Sequence, residues 1–165
     1  MSKTEVQALL TDMKTILRPL IIAALLAGGT AFAANSGPAR DEPNDPVLEK
    51  ASEATKRQDW AAAASVLQAG LSANPNNANY HNLYAYSIRK GANPDMNLVF
   101  KHYNEALRID PQHRGAHEYI GEAYLMVGNV AKAKEHLGTL DELCFFPCNE
   151  YTDLKKAIAE YEKKR

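Results

Sequence analysis

The stretch that decides the fold is residues 114–137, RGAHEYIGEAYLMVGNVAKAKEHL. On both sides of the Gly128-Asn129 pair, small and apolar residues recur every three or four positions, which is the spacing of one helix face. The Gly-Asn pair is typical of a turn between two elements. This stretch therefore predicts two helices that fold back on each other, and helical periodicity dominates the chain from Asp45 onward.

A similar unit occurs upstream of this stretch. Pro75 and Pro111 each follow a helical pattern, and they lie 36 residues apart. Because proline cannot continue a helix, each of them predicts the end of one. Three positions at helical spacing precede each proline, namely Ala63, Leu67 and Gly70 before the first and Val99, Tyr103 and Ala106 before the second.

With Gly121 and Tyr124 at consensus positions, residues 45–143 resemble three tetratricopeptide (TPR) repeats. The period of that family is about 34 residues. The resemblance implies an all-α solenoid of three helix-turn-helix repeats, in which each repeat buries its apolar face against the next. We expect the two helices of a repeat to approach closely at small residues, among them Ala51, Ala85 and Gly121.

The end of the chain predicts a capping helix over residues 149–163, with Asn149 as its N-cap. One face of this helix is apolar and the other is charged, so it can cover the last repeat and face water. The TPR domain with its cap spans residues 45–165. Residues 34–44 are polar and contain prolines, which predicts a flexible linker.

Residues 1–33 have the features of a signal peptide. Basic residues precede the apolar run 20–27, and Ala31-Phe32-Ala33 provides the small residues of a cleavage site. The run is shorter than the roughly 20 residues that cross a bilayer. We therefore expect export to a bacterial periplasm and no stable membrane insertion after cleavage, with an uncleaved anchor as the alternative. Met13 is an alternative start for this leader.

Cys144 and Cys148 flank a proline-containing turn between the last repeat and the cap. In an oxidising periplasm we expect them to form a disulfide that joins the two helices. A redox-active pair is the alternative, but catalytic dithiols usually lie at a helix N-terminus as Cys-x-x-Cys, and this spacing is one residue longer. Residues 113–119 and 144–148 also resemble small exported proteobacterial TPR proteins that have no assigned role.

Composition and motifs argue against several functions. The chain has 165 residues and a formal net charge of −1. This length allows one domain, and the charge does not favour binding to nucleic acid. The sequence has no phosphate-binding Gly-rich loop, no Gly-x-Ser-x-Gly motif and no dinucleotide fingerprint. We therefore expect a protein that is not an enzyme, with no cofactor and no nucleic-acid partner.

The histidines raise the possibility of a metal site. His113 and His117 are four residues apart, as two ligands on one helix face would be. The repeat offers a simpler explanation, because His81 and His117 occupy equivalent positions in first helices and His102 and His136 in second helices. We therefore predict no metal site and retain metal binding as an alternative.

The TPR resemblance also implies a binding surface, since the first helices of such repeats line a concave groove that takes a segment of a partner protein. By repeat register the predicted lining residues are Leu48, Ser52 and Thr55 from the first repeat, Asn79, Asn82, Tyr86, Arg89 and Lys90 from the second, and Glu118, Glu122, Leu125 and Met126 from the third.

We accordingly predict a protein–protein interaction scaffold or adaptor whose partner is an envelope protein. TPR domains that bind chaperones hold a terminal carboxylate with basic residues on the third first helix. Glu118 and Glu122 have the opposite charge there, so an acidic tail is not the expected ligand. The alternative is a metal-binding or redox accessory protein that uses the histidines or the cysteine pair. Self-association through the ends of the array is a third possibility.

Overall fold

The computed structural model describes residues 45–146 and 148–164, so the predicted signal peptide and linker lie outside the described residues. This part of the chain is helical and contains no strand. None of its helices is long and apolar enough to cross a membrane. The helices are α1 Pro46–Lys56, α2 Trp60–Ala73, α3 Ala78–Lys90, α4 Met96–Ile109, α5 Arg114–Met126, α6 Val130–Leu143 and α7 Asn149–Lys163.

Side-chain caps fix the starts of the first six helices. In each case the residue before the helix accepts a hydrogen bond from a backbone N–H two or three positions later, which satisfies a donor that the helix leaves free. These caps are Asp45, Asp59, Asn77, Asp95, His113 and Asn129.

The start of α7 differs from the prediction. Asn149 is its first helical residue, and the N-cap is Cys148, which makes no side-chain capping bond. The backbone of Cys148 is already extended (φ −96°, ψ 162°), so the helix begins one residue later than an Asn149 cap requires.

Three core clusters hold the helices together; two of them join successive repeats, and the last joins the third repeat to the seventh helix. Tyr103 of α4 and Ile120 of α5, both fully buried, belong to the central cluster. Leu140 of α6 packs with Leu154 of α7 in the last one. Because the core lies between repeats as well as within them, stacking stabilises the array. The predicted all-α solenoid of three helix pairs and a seventh helix is confirmed.

The contacts between helices define a concave side. The first helices α1, α3, α5 and α7 contact one another in order, whereas the described parts of α2, α4 and α6 make no mutual contact. The array therefore curves with its first helices on the inside.

Gly121 has a different packing role from the predicted one. A Cβ atom at this position would lie 2.6 Å from Leu154 Cδ2 of α7, closer than side chains tolerate. The missing side chain thus allows close approach of the seventh helix. The sequence predicts a close approach to the second helix of the same repeat, but the nearest atoms all belong to Leu154 of α7.

Candidate partner-binding groove

The concave side carries the predicted groove residues with very different exposures. Ser52, Lys90 and Met126 are exposed; Leu48, Thr55, Asn79, Tyr86 and Glu122 are half-buried; Asn82, Arg89, Glu118 and Leu125 are buried.

Three aromatic rings form a row across this side, which we call the aromatic row: Trp60, Tyr86 and Tyr119. The ring centroids of Trp60 and Tyr86 are 5.8 Å apart, and those of Tyr86 and Tyr119 are 4.6 Å apart. The rings come from α2, α3 and α5, so the row joins the first repeat to the third. Repeat register predicts only Tyr86 as a groove residue, because Trp60 lies on a second helix and Tyr119 is offset from the repeat position of Tyr86.

Arg89 is directed inward, under the aromatic row. Only 7% of the residue is exposed. Its Nη2 donates to Glu122 Oε2 at 2.6 Å, and its Nε donates to the hydroxyl of Tyr103 at 3.2 Å. The guanidinium carbon lies 5.5 Å from the Tyr86 ring centroid and 5.8 Å from that of Tyr119. Arg89 is therefore committed to internal partners and supports the rings rather than offering a charge to a ligand.

Glu118 is buried beside this cluster without a partner of its own. It is 9% exposed and makes no hydrogen bond or ion pair within the described part of the chain. Burial, followed by the nearby carboxylates of Glu122, Asp153 and Glu150, raises the pKa of Glu118 from 4.5 to about 8; Arg89 opposes this effect. The nearby cation, the Arg89 guanidinium, is hydrogen-bonded to Glu122 and Tyr103, so no cation is paired with Glu118.

The carboxylates around Glu118 make the α5–α7 half of the groove acidic. Glu122 is paired with Arg89, and Glu150 lies 3.7 Å from the Arg114 Nε. Asp153 is exposed and forms no ion pair in residues 45–146 and 148–164. Lys90 lies at the other end of the row, 5.8 Å from the Trp60 ring centroid.

Two asparagines occupy the α3–α5 contact. Asn79 Oδ1 is 2.8 Å from His113 Nε2. Since His113 Nδ1 accepts the Ala116 N–H, the proton lies on Nε2, which donates to Asn79. Asn82 is 4% exposed, and its Oδ1 is buried without a hydrogen-bond partner among the described residues. Asn79 thus connects α3 to the start of α5, the Asn82 side chain is buried, and neither presents a free amide to the surface.

Leu125 and Met126 separate at the end of α5. Leu125 is buried in the cluster that contains Leu154 and Ile158 of α7, so its side chain does not face the groove. Met126 is exposed beside the turn to α6. The seventh helix therefore covers part of the surface that repeat register assigned to a partner.

The histidines form two equivalent pairs. His81 Nδ1 lies 2.8 Å from His102 Nδ1, and His117 Nδ1 lies 2.9 Å from His136 Nδ1. The Nε2 atoms of His81 and His117 face the carbonyls of Pro75 and Pro111 at 2.9 and 3.0 Å. Because a carbonyl only accepts, Nε2 carries the proton and the second-helix histidine donates from Nδ1.

This arrangement bears on the metal hypothesis. His113 and His117 do not converge, since one caps α5 and the other bonds to His136. Within the described residues no group of three or more histidines, cysteines or acids is placed to hold a metal ion.

A disulfide joins Cys144 and Cys148, whose Cα atoms are 5.8 Å apart. It connects the end of α6 to the start of α7, as the spacing predicted. The loop that it closes carries Phe145 and Phe146, both exposed.

Comparison with solved structures identifies the architecture. The TPR2B domain of yeast Sti1, in a complex with pHsp70, matches 72% of this chain and 95% of its own with a TM-score of 0.63 and 16% identity. The fold is a TPR-like solenoid. The type III secretion translocator chaperone SycD of Yersinia enterocolitica is similar to the same extent, with a TM-score of 0.62, 16% identity, and coverage of 72% of this chain and 82% of SycD. No protein-family model and no curated protein sequence matches the chain.

Proposed function

We propose that this protein is an exported, non-enzymatic interaction module whose concave side binds a basic, extended segment of an envelope protein. The observation that carries the proposal is the carboxyl of the buried residue Glu118, which lies among other carboxylates and is not paired with a cation. The two TPR-like neighbours support the general mode of action, because one is a complex with pHsp70 and the other is a chaperone.

A lysine or arginine of the partner would supply the missing charge. It would ionise Glu118 and form a charge-assisted hydrogen bond with a side chain that is 9% exposed. Asp153 and Glu150 would extend the same preference along α7 and speed the approach of a basic segment. The aromatic row provides apolar surface for the aliphatic stems of such side chains.

The cysteine pair supports export as part of this proposal. Disulfides persist in the periplasm and are rare in the cytosol, so a disulfide between Cys144 and Cys148 fits an oxidising compartment. Mass spectrometry of the exported protein should find Ala34 as its first residue, and non-reducing peptide mapping should find the two cysteines bonded. An intact leader, or two free thiols in freshly isolated protein, would contradict this part of the proposal.

The binding mode is tested with three labelled nine-residue peptides of equal length and hydrophobicity, one basic, one neutral and one acidic. Fluorescence anisotropy at pH 8 should show binding of the basic peptide at least tenfold tighter than that of the others. The matched control for Glu118→Gln is Glu142→Gln, which removes an exposed carboxylate at the end of α6. Equal affinity for all three peptides, or equal loss in both variants, would rule out Glu118 as the recognition group.

A further inference from the structure

An exposed aromatic pair marks the C-terminal end of the array. Phe145 and Phe146 are 93% and 75% exposed, and the disulfide closes the five-residue loop that presents them. At the corresponding loops after α2 and α4 the exposed residues include Pro75, Asn76 and Gln112. Large apolar side chains held this far out of a soluble domain indicate an interaction site. The short closed loop also leaves little freedom to lose on binding.

An apolar pocket marks the opposite end of the array. It has a volume of about 350 Å³ and is lined by the first turns of α1 and the last turns of α2. Val47, Val66, Ala69 and Ala73 form its apolar wall, and Lys50 lies at its edge. This volume is within the range of pockets that hold small ligands, roughly 300–1,000 Å³, and is sufficient for aromatic rings.

The aromatic pair and the pocket lie on the same edge of the solenoid. The pocket is formed where α1 begins and α2 ends, and the loop of Phe145 and Phe146 is formed where α6 ends and α7 begins. Because successive helices alternate in direction, the ends of second helices and the starts of first helices share one edge. Translation of one copy along the array axis therefore brings its aromatic pair toward the pocket of the next copy.

The charges beside the two features are complementary. Asp141 and Glu142, in the last turn of α6, are exposed and form no ion pair within residues 45–146 and 148–164. Lys50, at the pocket, is likewise exposed without an ion pair to any described residue. The two acids also oppose insertion of the aromatic pair into an anionic lipid surface, so a second copy is the occupant that the charges favour.

We infer that Phe145 and Phe146 of one copy insert into the α1–α2 pocket of a second copy, which gives head-to-tail association. The contact is heterologous, so an assembly of any length keeps one free pocket at one end and one free aromatic pair at the other, and open-ended chains result. Two phenylalanines bury roughly 150–250 Å² each, which places the interface in the small, transient class. We expect a dissociation constant of about 10 µM to 1 mM.

Sedimentation equilibrium of the purified full chain, as the expressing cell processes it, tests this inference between 10 µM and 1 mM. The weight-average mass of the wild type should rise with concentration beyond that of a dimer. A double variant with Phe145→Ser and Phe146→Ser removes the aromatic pair, and Ala69→Glu places a charged side chain in the pocket. Gln68→Glu is the matched control, because Gln68 is the exposed neighbour of Ala69 that does not line the pocket.

Each of the two variants should remain monomeric alone, while an equimolar mixture should form dimers and nothing larger, since one variant retains the pocket and the other the aromatic pair. Gln68→Glu should associate as the wild type does. A wild type that stays monomeric at 1 mM overturns the inference, and that is the result expected if another part of the chain fills the pocket. Association of the double serine variant alone, or a mixture without dimers, overturns it too.

Discussion

Positions 81 and 117 are equivalent in the repeat, and so are the adjacent positions 82 and 118, yet the two sets differ. Histidine occupies both members of the first set and makes the same two contacts in each repeat. The second set holds Asn82 in one repeat and Glu118 in the next, and neither has a hydrogen-bonded side-chain oxygen in the described part of the chain. The histidine that occurs in both repeats stabilises the scaffold. The residue that differs, Asn82 in one repeat and Glu118 in the next, makes the α5–α7 half of the groove the acidic one.

The two sets of positions also differ in their contribution to stability. A buried polar group that is paired contributes to stability, whereas an unpaired one reduces it. The histidine pairs connect the two helices of a repeat with bonds that the scaffold needs. The Glu118 carboxyl makes no such bonds, which lowers the stability of the free protein. A partner that forms these bonds would recover the loss on binding.

Removing one of the repeated histidines should have a large effect on stability. His117→Ala should destabilise the protein by about 3 kcal/mol, because it leaves a cavity and removes the bonds to His136 and the Pro111 carbonyl. Urea unfolding at pH 7 measures the change. His81→Ala should cost a similar amount. A loss below about 0.5 kcal/mol in either variant would show that the pairs are not structural.

The next effect concerns the aromatic row. Tyr86→Ala should weaken binding of the basic peptide about thirtyfold, which corresponds to about 2 kcal/mol, since it removes the central ring of the row. Anisotropy titration gives the affinity, and circular dichroism checks that the helices remain. Tyr151→Ala, at a half-buried tyrosine of α7 outside the row, is the control and should bind as the wild type does.

Glu118→Gln removes the charge of the carboxylate and keeps the size of the side chain. At pH 8 it should weaken binding of the basic peptide about tenfold, or about 1.4 kcal/mol, and wild-type affinity should rise between pH 6 and 9 while that of the variant stays level. The pKa of Glu118 is about 8 in the folded protein, so the folded state retains a proton that the unfolded chain releases above pH 4.5.

Glu118→Gln should weaken binding but increase stability. Because the folded state binds more protons than the unfolded chain between pH 4.5 and 8, stability falls as the pH rises through that interval. Glu118→Gln removes this loss and should therefore raise the melting temperature at pH 8 more than at pH 5. A melting temperature that drops equally at both pH values would indicate a structural role for the carboxyl group that does not depend on its charge.

The smallest expected effect is the response of the histidine pairs to acid. Burial and the neighbouring histidine lower the pKa of His102 and of His136 to about 4, with Lys101 and Lys132 acting in the same direction and Glu105 and Glu135 opposing them. The unfolded chain takes up protons near pH 6.5, so stability is lost as the pH falls from 6.5 toward 4.

Both rings are partly exposed, and after allowance for solvent screening we expect a loss of about 1 kcal/mol at pH 5, or about 3 °C in melting temperature. Thermal unfolding of the wild type and of a variant with His102→Gln and His136→Gln measures it. The variant should melt lower at pH 7 and lose less on acidification. Equal slopes in the two proteins would assign the acid response to other groups.

The local elements of this protein follow from its sequence. The predicted helix ends before Pro75 and Pro111 are found at Ala73 and Ile109. Repeat register places both histidine pairs in equivalent surroundings, although the first-helix histidines are 36 residues apart and the second-helix histidines 34. These features depend on residues close in the chain or on repetition, so propensity and periodicity are sufficient to predict them.

The groove itself was decided by tertiary structure. Periodicity assigned Arg89 and Leu125 to the concave side, but Arg89 turns inward to Glu122 and Tyr103, and Leu125 is covered by α7. It also gave no sign that Trp60 and Tyr119 meet at Tyr86. The direction in which a helix face points is a local property. Whether another helix covers that face depends on the angle and distance at which the helices pack. That geometry is set by the whole array, through contacts such as Gly121 against Leu154.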